Sequence, residues 1–272
     1  MRGWIEDDRR LPRYEPERAS RVAELSVALD GLKEAGRLAM HALNEVMANP
    51  ESARRERTRA AAIILTRAYD DLNGVALLCA EGLPVQAAAL AAALWEKAHQ
   101  ANTVTHDEER LAAWMRTSQD FAADNPVYRN RAHKKAFAFV ADYMEAPITW
   151  EATEAEYREL CNMKHAHPFV MRHFGVVEWT ENSVNLLYGP TRGGATSVMC
   201  FQTAIASVKA LLWGSLGFVL GNMDFLSEEA QKRLEQRISE AFDSLERIKE
   251  ACPKPLDPDS PNEDAPSTDQ AL

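Results

Sequence analysis

Between residues 22 and 46, apolar or small residues recur at Val22, Leu25, Leu29, Leu32, Gly36, Ala39, Leu43 and Val46, in alternating steps of three and four. A helix turning every 3.6 residues brings all eight to one side, so this stretch must cover a long apolar seam with other helices. The same period returns at Ala61, Ile64, Ala68, Leu72, Val75 and Cys79, and again at Leu234, Ile238, Ala241, Leu245 and Ile248. Such a chain folds by packing helix on helix.

Turn residues divide the pattern. Asn49-Pro50 ends the first helix and starts the next, which is expected over 51–79. Gly82-Leu83-Pro84 opens an Ala-rich helix over 84–103, and a fourth is expected over 107–122. Asn125-Pro126 opens a fifth that stops before Pro147. Thr153 and Glu156 have capping-box spacing and predict the start of a sixth, ended by Pro168. A long apolar helix is expected over 195–223, and Ser227 caps the last. The one β-like signal is Val176-Val177-Glu178-Trp179, a polar turn, and then 184–188, which predicts a short hairpin over 176–188. The expected fold class is all-α, a multi-helix bundle with a small β-hairpin insertion. One domain spans 21–252, after a flexible N-terminal segment over 1–20 and before a disordered, acidic, Pro-rich tail over 253–272.

Composition narrows the function classes. With 46% hydrophobic and 26% charged residues in 272, the chain is neither a collagen, nor a disulfide-stapled miniprotein, nor wholly disordered. A net charge of −10 argues against a surface wrapped in nucleic acid, because phosphate binding rests on Lys and Arg. Two local basic segments remain: Arg54, Arg55, Arg57 and Arg59, and then Arg129, Arg131, Lys134 and Lys135. Either is a guide for RNA or a solvated helix face. The four cysteines, Cys79, Cys161, Cys200 and Cys252, form no Cys-x-x-Cys pair, and a reducing cytoplasm is the expected setting. The greasiest run, 210–220, falls short of the roughly 20 residues a membrane span needs and reads as a core helix. No leader-like apolar run occurs over 1–16.

No P-loop, no Gly-x-Gly-x-x-Gly and no Gly-x-Ser-x-Gly is present. The segment richest in chemistry runs from Tyr157 to Pro168. On a helix Arg158, Asn162 and His165 stand at i, i+4 and i+7 and share a face. There an imidazole moves a proton near neutral pH and a guanidinium holds the charge of a phosphorane. The competing explanation is a helix C-terminus where His165 and His167 favour the negative dipole end. Glu96 and His99 form a single Glu-x-x-His, where a di-metal bundle needs two copies and two further Glu. Glu96, following an Ala- and Leu-rich run, either faces solvent or needs a partner, for which the Arg158/His165 face is the candidate. Arg129, Asn130 and His133 make a second Arg-plus-His turn, in a segment that Lys134 and Lys135 mark as exposed.

The Ala-rich helix ending in Leu94-Trp95-Glu96, followed by Tyr157-x-x-Leu160-Cys161-x-x-x-His165 and Pro168, resembles a group of bacterial helical proteins of unknown function over roughly 51–225. Where that pattern has an Arg four residues before the Glu, this chain has Ala92. The spacing of Arg158 and His165 is similar to the Arg-x(4–6)-His pattern of HEPN-type ribonucleases, with Glu159 where that family usually carries Asn, Asp or His after the Arg. The resemblance implies a metal-independent endoribonuclease without cofactors, acting as a homodimer with composite sites, in toxin–antitoxin or phage-defence systems. Arg158, Asn162 and His165 would be catalytic, with Glu96, Tyr157 and His167 supporting them. The alternatives are a non-catalytic dimerisation or protein-interaction module, for which the 22–46 seam and the acidic tail speak, and a metal-binding bundle through Glu96, His99 and His165.

Overall fold

The computed structural model describes residues 15–117, 130–144, 148–165, 177–179, 184–186 and 194–253. The helices are α1 (Glu15–Glu24), α2 (Ser26–Ala48), α3 (Pro50–Arg54), α4 (Glu56–Ala80), α5 (Pro84–His106), α6 (Glu108–Thr117), α7 (Asn130–Tyr143), α8 (Trp150–Lys164), α9 (Gly194–Leu220) and α10 (Glu228–Ala251). The fold is all-α. Two three-residue segments, Val177–Trp179 and Val184–Leu186, pair antiparallel with Val177 opposite Leu186.

At the centre lie α5 and α9. Helix α5 packs against α4, α9, α8 and α7, while α9 also touches α2, α4 and α10. Ala87, Ala88, Ala91, Ala92, Ala98 and Ala101 are all fully buried on α5. Their single methyls let a neighbouring backbone come close, and α9 answers with glycines. A Cβ on Gly214 would stand 2.9 Å from the carbonyl oxygen of Ala98, and one on Gly217 would stand 2.1 Å from Oδ1 of Asn102. At Gly214 the obstacle is backbone, so any larger residue there pushes the two helices apart.

Helix α9 is 27 residues long, well beyond the apolar run picked out in the sequence. Thr196–Leu220 is long and apolar enough to cross a membrane by length and composition alone, yet 83% of its most apolar window is buried inside the bundle. Its apolar surface is consumed by protein.

Several boundaries differ from the sequence expectation, each for a local reason. Helicity begins at Glu15, inside the segment expected to be loose; the hydroxyl of Ser197 on α9 donates to Glu24, and Nε of Arg21 donates to the Ala80 carbonyl at 3.4 Å, so α1 is tied to the body of the fold. The helix expected over 51–79 is split at Arg55, whose backbone is extended at φ −71°, ψ 128°. This break points the Arg55 guanidinium at the carbonyl of Gly221, 3.2 Å away, and over the Phe225 ring at 4.8 Å. Helix α8 starts at Trp150, because Thr149 accepts from the Ala152 amide at 3.2 Å; Thr153 sits one turn inside. Gly82 takes φ +73° in the α4–α5 turn, a conformation costly for any residue with a Cβ. Residues 118–122, 126–129, 166–168 and the tail over 254–272 lie outside the described residues.

One polar cluster pins the α2–α3–α4 corner to the end of α9. Oδ1 of the buried Asn222 accepts from Thr58 Oγ1 at 2.6 Å and from Ser52 Oγ at 3.2 Å, while its amide donates to the Phe218 carbonyl at 2.8 Å. All three side chains are buried. Removing the shared acceptor strands two hydroxyls away from water, so Asn222→Ala is expected to cost about 2–4 kcal/mol. Urea denaturation of the two proteins measures this, and an unchanged midpoint would remove the cluster from the stability account.

Candidate functional site

Helix α8 lies across α5 with its inner face down. Leu160 and Met163 are buried, and the Tyr157 ring stacks on Trp95 at 4.4 Å with 21° between the planes. The Tyr157 hydroxyl donates to Oε1 of Glu96 at 2.5 Å. Burial first, and then Glu96 and Cys161 beside it, hold the Tyr157 phenol well above its ordinary pKa, so it stays protonated and donating. Two ion pairs join α8 to its neighbours: the part-buried Glu156 with Lys209 on α9, and at the surface Glu151 with Lys134 on α7 at 2.6 Å. Glu96 therefore finds its partner on α8, but that partner is Tyr157 and not the neighbouring Arg158 face.

Arg158, Asn162 and His165 do share a face, and that face is exposed. Nη2 of Arg158 pairs with Glu154 one turn back, at 3.1 Å. His165 is the C-terminal cap residue of α8, its amide donating to the Cys161 carbonyl at 2.9 Å. Among the described residues no hydrogen bond or ion pair joins Arg158, Asn162 and His165 to one another. Glu159, next to Arg158, has its carboxyl pKa raised, by burial first and then by Glu156. Lys134 and Lys135 are exposed on α7. His167 and Arg129 lie outside the described residues, and only the backbone of Arg131 is described.

The second Arg-plus-His turn departs from expectation. His133 is 2% exposed, although two lysines follow it. His133, Ala136, Phe137 and Val140 form the buried stripe of α7, a 3–4 spacing that was present in the sequence and masked by the charges beside it. His133 joins an aromatic cluster under α8 that contains Trp95, His99, Phe137, Trp150 and, beyond Phe137, Trp213. The Thr103 hydroxyl lies 2.7 Å from the His99 carbonyl oxygen and 2.9 Å from Nδ1 of His133. Among the described residues both ring nitrogens of His99 lack a hydrogen-bond partner. Burial pushes the His99 pKa well down, with His133 adding to it. Burial also takes His133 down to about 4, against the opposing pull of the His99 carbonyl. Both rings are neutral core residues. Among the described residues no three His, Cys, Asp or Glu side chains gather as a metal set, and Glu96, His99 and His165 do not meet.

A second feature was missed in the sequence. An open groove of about 880 Å³ runs between α2 and α4, reaching Arg18 and Val22 of α1 at one end. Leu29, Leu32, Gly36 and Met40 line it along α2, and Leu72, Ala76 and Leu77 along α4. Each wall is a continuous stripe at helical spacing. Leu77 is 60% exposed, high for a leucine beside a core. The signal was in the sequence as apolar residues beyond the minimal stripe: Met40 lies outside the 22–46 seam, and Ala76 and Leu77 outside the 61–79 one.

No protein-family model, curated protein or solved structure matches the chain.

The buried histidines give the protein a pH signature. The folded pKa values of His99, His133 and His106 lie below the ordinary 6.5, so the unfolded chain binds more protons between about pH 4 and 6.5. Stability is complete above that window and is lost as pH falls through it. His133 alone predicts a loss of about 1–2 kcal/mol between pH 7 and pH 5. Urea midpoints across that range check the slope, and His133→Gln should flatten it.

Proposed function

We propose that the chain is a non-catalytic helical interaction module that binds a partner protein segment in the α2–α4 groove. The carrying observation is the pair of apolar stripes facing each other across an open trough with Leu77 left exposed between core and solvent. Two helices presenting parallel stripes at a 3–4 spacing form the floor on which a third amphipathic helix lies. The free thiols of Cys79, Cys161, Cys200 and Cys252 suit a reducing cytoplasm, where this module would act. In the same reading 176–188 is a small β-hairpin inserted between helices, for which the alternating sequence and the pairing of Val177–Trp179 with Val184–Leu186 speak.

The test uses the full chain and a labelled, neutral 16-residue helical peptide with leucines on one face and glutamines elsewhere. Fluorescence anisotropy should give saturable one-to-one binding. Leu77→Glu, at a surface position, should weaken it by at least about tenfold without moving the melting temperature. No saturable binding, or binding indifferent to Leu77→Glu, removes the module reading.

A second reading keeps one observation in its favour. Arg158, Asn162 and His165 occupy one exposed face of α8, and the Tyr157–Glu96 bond holds that helix in place on α5. We propose on this ground a HEPN-like endoribonuclease of a defence or toxin–antitoxin system. A second copy of the chain would complete the site, because among the described residues nothing joins His165 to Arg158. His165 would move the proton of the RNA 2′-hydroxyl or leaving oxygen, Arg158 would hold the phosphate, and Lys134, Lys135, Arg129 and Arg131 would guide the strand. RNA cleavage by the full chain should fall by roughly 10²-fold or more in His165→Ala, which lies at an exposed cap and leaves the fold intact. Equal cleavage by the two proteins, or none by either, ends this reading.

A further inference from the structure

The groove has a sign as well as a shape. Arg18, Lys33 and Arg37 stand along its margin, His41 lies beside them, and no Asp or Glu lines its walls among the described residues. That is unusual in a chain carrying ten more acidic than basic side chains. Each margin cation has a carboxylate companion outside the groove lining: Arg18 with Glu81, Lys33 with Asp30 and Arg37 with Glu34, with Glu240 also near Arg37. The cationic side chains are 47%, 70% and 57% exposed. Pairs this wet contribute little and exchange partners readily. The guanidinium and ammonium groups are therefore available to a second carboxylate that arrives over the trough.

Shape and length narrow the occupant. The α2 wall runs from Leu29 to Asn44, and fifteen steps at 1.5 Å make it about 22 Å long. A helix of about fifteen residues matches that length. The trough is open from above along its course, which suits a helix laid on its side more than a small molecule sealed from water. Gly36 matters at its middle: a Cβ there would stand 3.1 Å from Cε2 of Tyr69, so the glycine lets the Tyr69 ring close down against α2 and flatten the floor.

From this we infer that the groove takes an amphipathic helix of a partner protein that carries an apolar stripe flanked by Asp or Glu. The inference rests on the module reading and adds the partner's charge. Apolar contact with Leu29, Met40, Leu72 and Leu77 supplies affinity, and Arg18, Lys33 and Arg37 set orientation and select against basic helices.

The test compares three 16-residue helical peptides sharing one leucine face, with flanks of Glu, Gln or Lys, against the full chain at low and moderate salt. The Glu peptide should bind at least tenfold more tightly than the Lys peptide, and the gap should shrink as salt rises. The double variant Lys33→Glu/Arg37→Glu, both exposed positions, should reverse the order of the Glu and Lys peptides. Equal affinities for all three peptides would overturn the charge inference and leave the module reading standing. Binding of none would overturn both. Analytical ultracentrifugation closes the remaining case. A dimer of the chain that Leu77→Glu dissolves would put a second copy in the groove and overturn the partner assignment, whereas a monomer supports it.

Discussion

The close approach of α5 and α9 is the constraint from which the rest of the structure follows. At Gly214 the two backbones come near enough that a Cβ would stand 2.9 Å from a carbonyl oxygen of the facing helix. Dispersion over so tight a contact is large because atoms on both sides have neighbours at van der Waals distance. The approach also decides which side chains are trapped between the helices. Asn102, Thr103 and Thr105 on α5 and Thr203, Ser207 and Ser215 on α9 are all buried. Thr103, Thr105 and Ser207 donate to the carbonyls of His99, Ala101 and Thr203, one turn back on their own helices. A hydroxyl that satisfies itself within its own helix is compatible with an apolar neighbour, whereas among the described residues the side chains of Asn102, Thr203 and Ser215 have no hydrogen-bond partner.

Helix α8 is placed by what α5 has left. Its face toward α8 carries Trp95, Glu96 and His99. Trp95 offers a flat surface to the Tyr157 ring, and Glu96 takes the Tyr157 hydroxyl. Once Tyr157, Leu160 and Met163 are committed inward, helical geometry turns Arg158, Asn162 and His165 outward. Their exposure is a consequence of the packing of α8 and is not by itself a sign of chemistry.

Much of the fold was legible because it is written in periodicity and punctuation. The stripes on α4 and α10 and the turn at Gly82 all stand where the spacing placed them. What was hidden had two physical causes. One was a tertiary contact at a helix break, where the helix that sequence made continuous parts at the extended Arg55 and its guanidinium meets the Gly221 carbonyl. Charge beside an apolar stripe obscured it, as at His133, which Lys134 and Lys135 seemed to mark as surface. The candidate site was legible by halves. The pairing of the Glu96 helix with the Tyr157 segment was foreseeable from the isolated carboxylate, but the partner atom was not, since a phenol and a guanidinium one residue apart point about 100° apart around the same helix.

The α2 seam shows how one pattern serves two surfaces. In its heptad the residues fall into two rows. Leu25, Ala39 and Val46 are buried in the core, whereas Val22, Leu29 and Gly36 line the groove, which Leu32 of the first row also reaches. The rows are about 60° apart around the axis, close enough to read as one stripe and far enough to face different neighbours. Helix α4 leans over the second row and covers it incompletely, because Gly36 admits Tyr69 on one side while Met40 and Leu77 remain half open. A seam consumed wholly by its own fold would have left no trough, and one left wholly free would not hold α2 in the bundle. The partial overlap keeps the helix anchored through one row and leaves apolar surface in the other, which is the arrangement a docking groove on a stable scaffold requires.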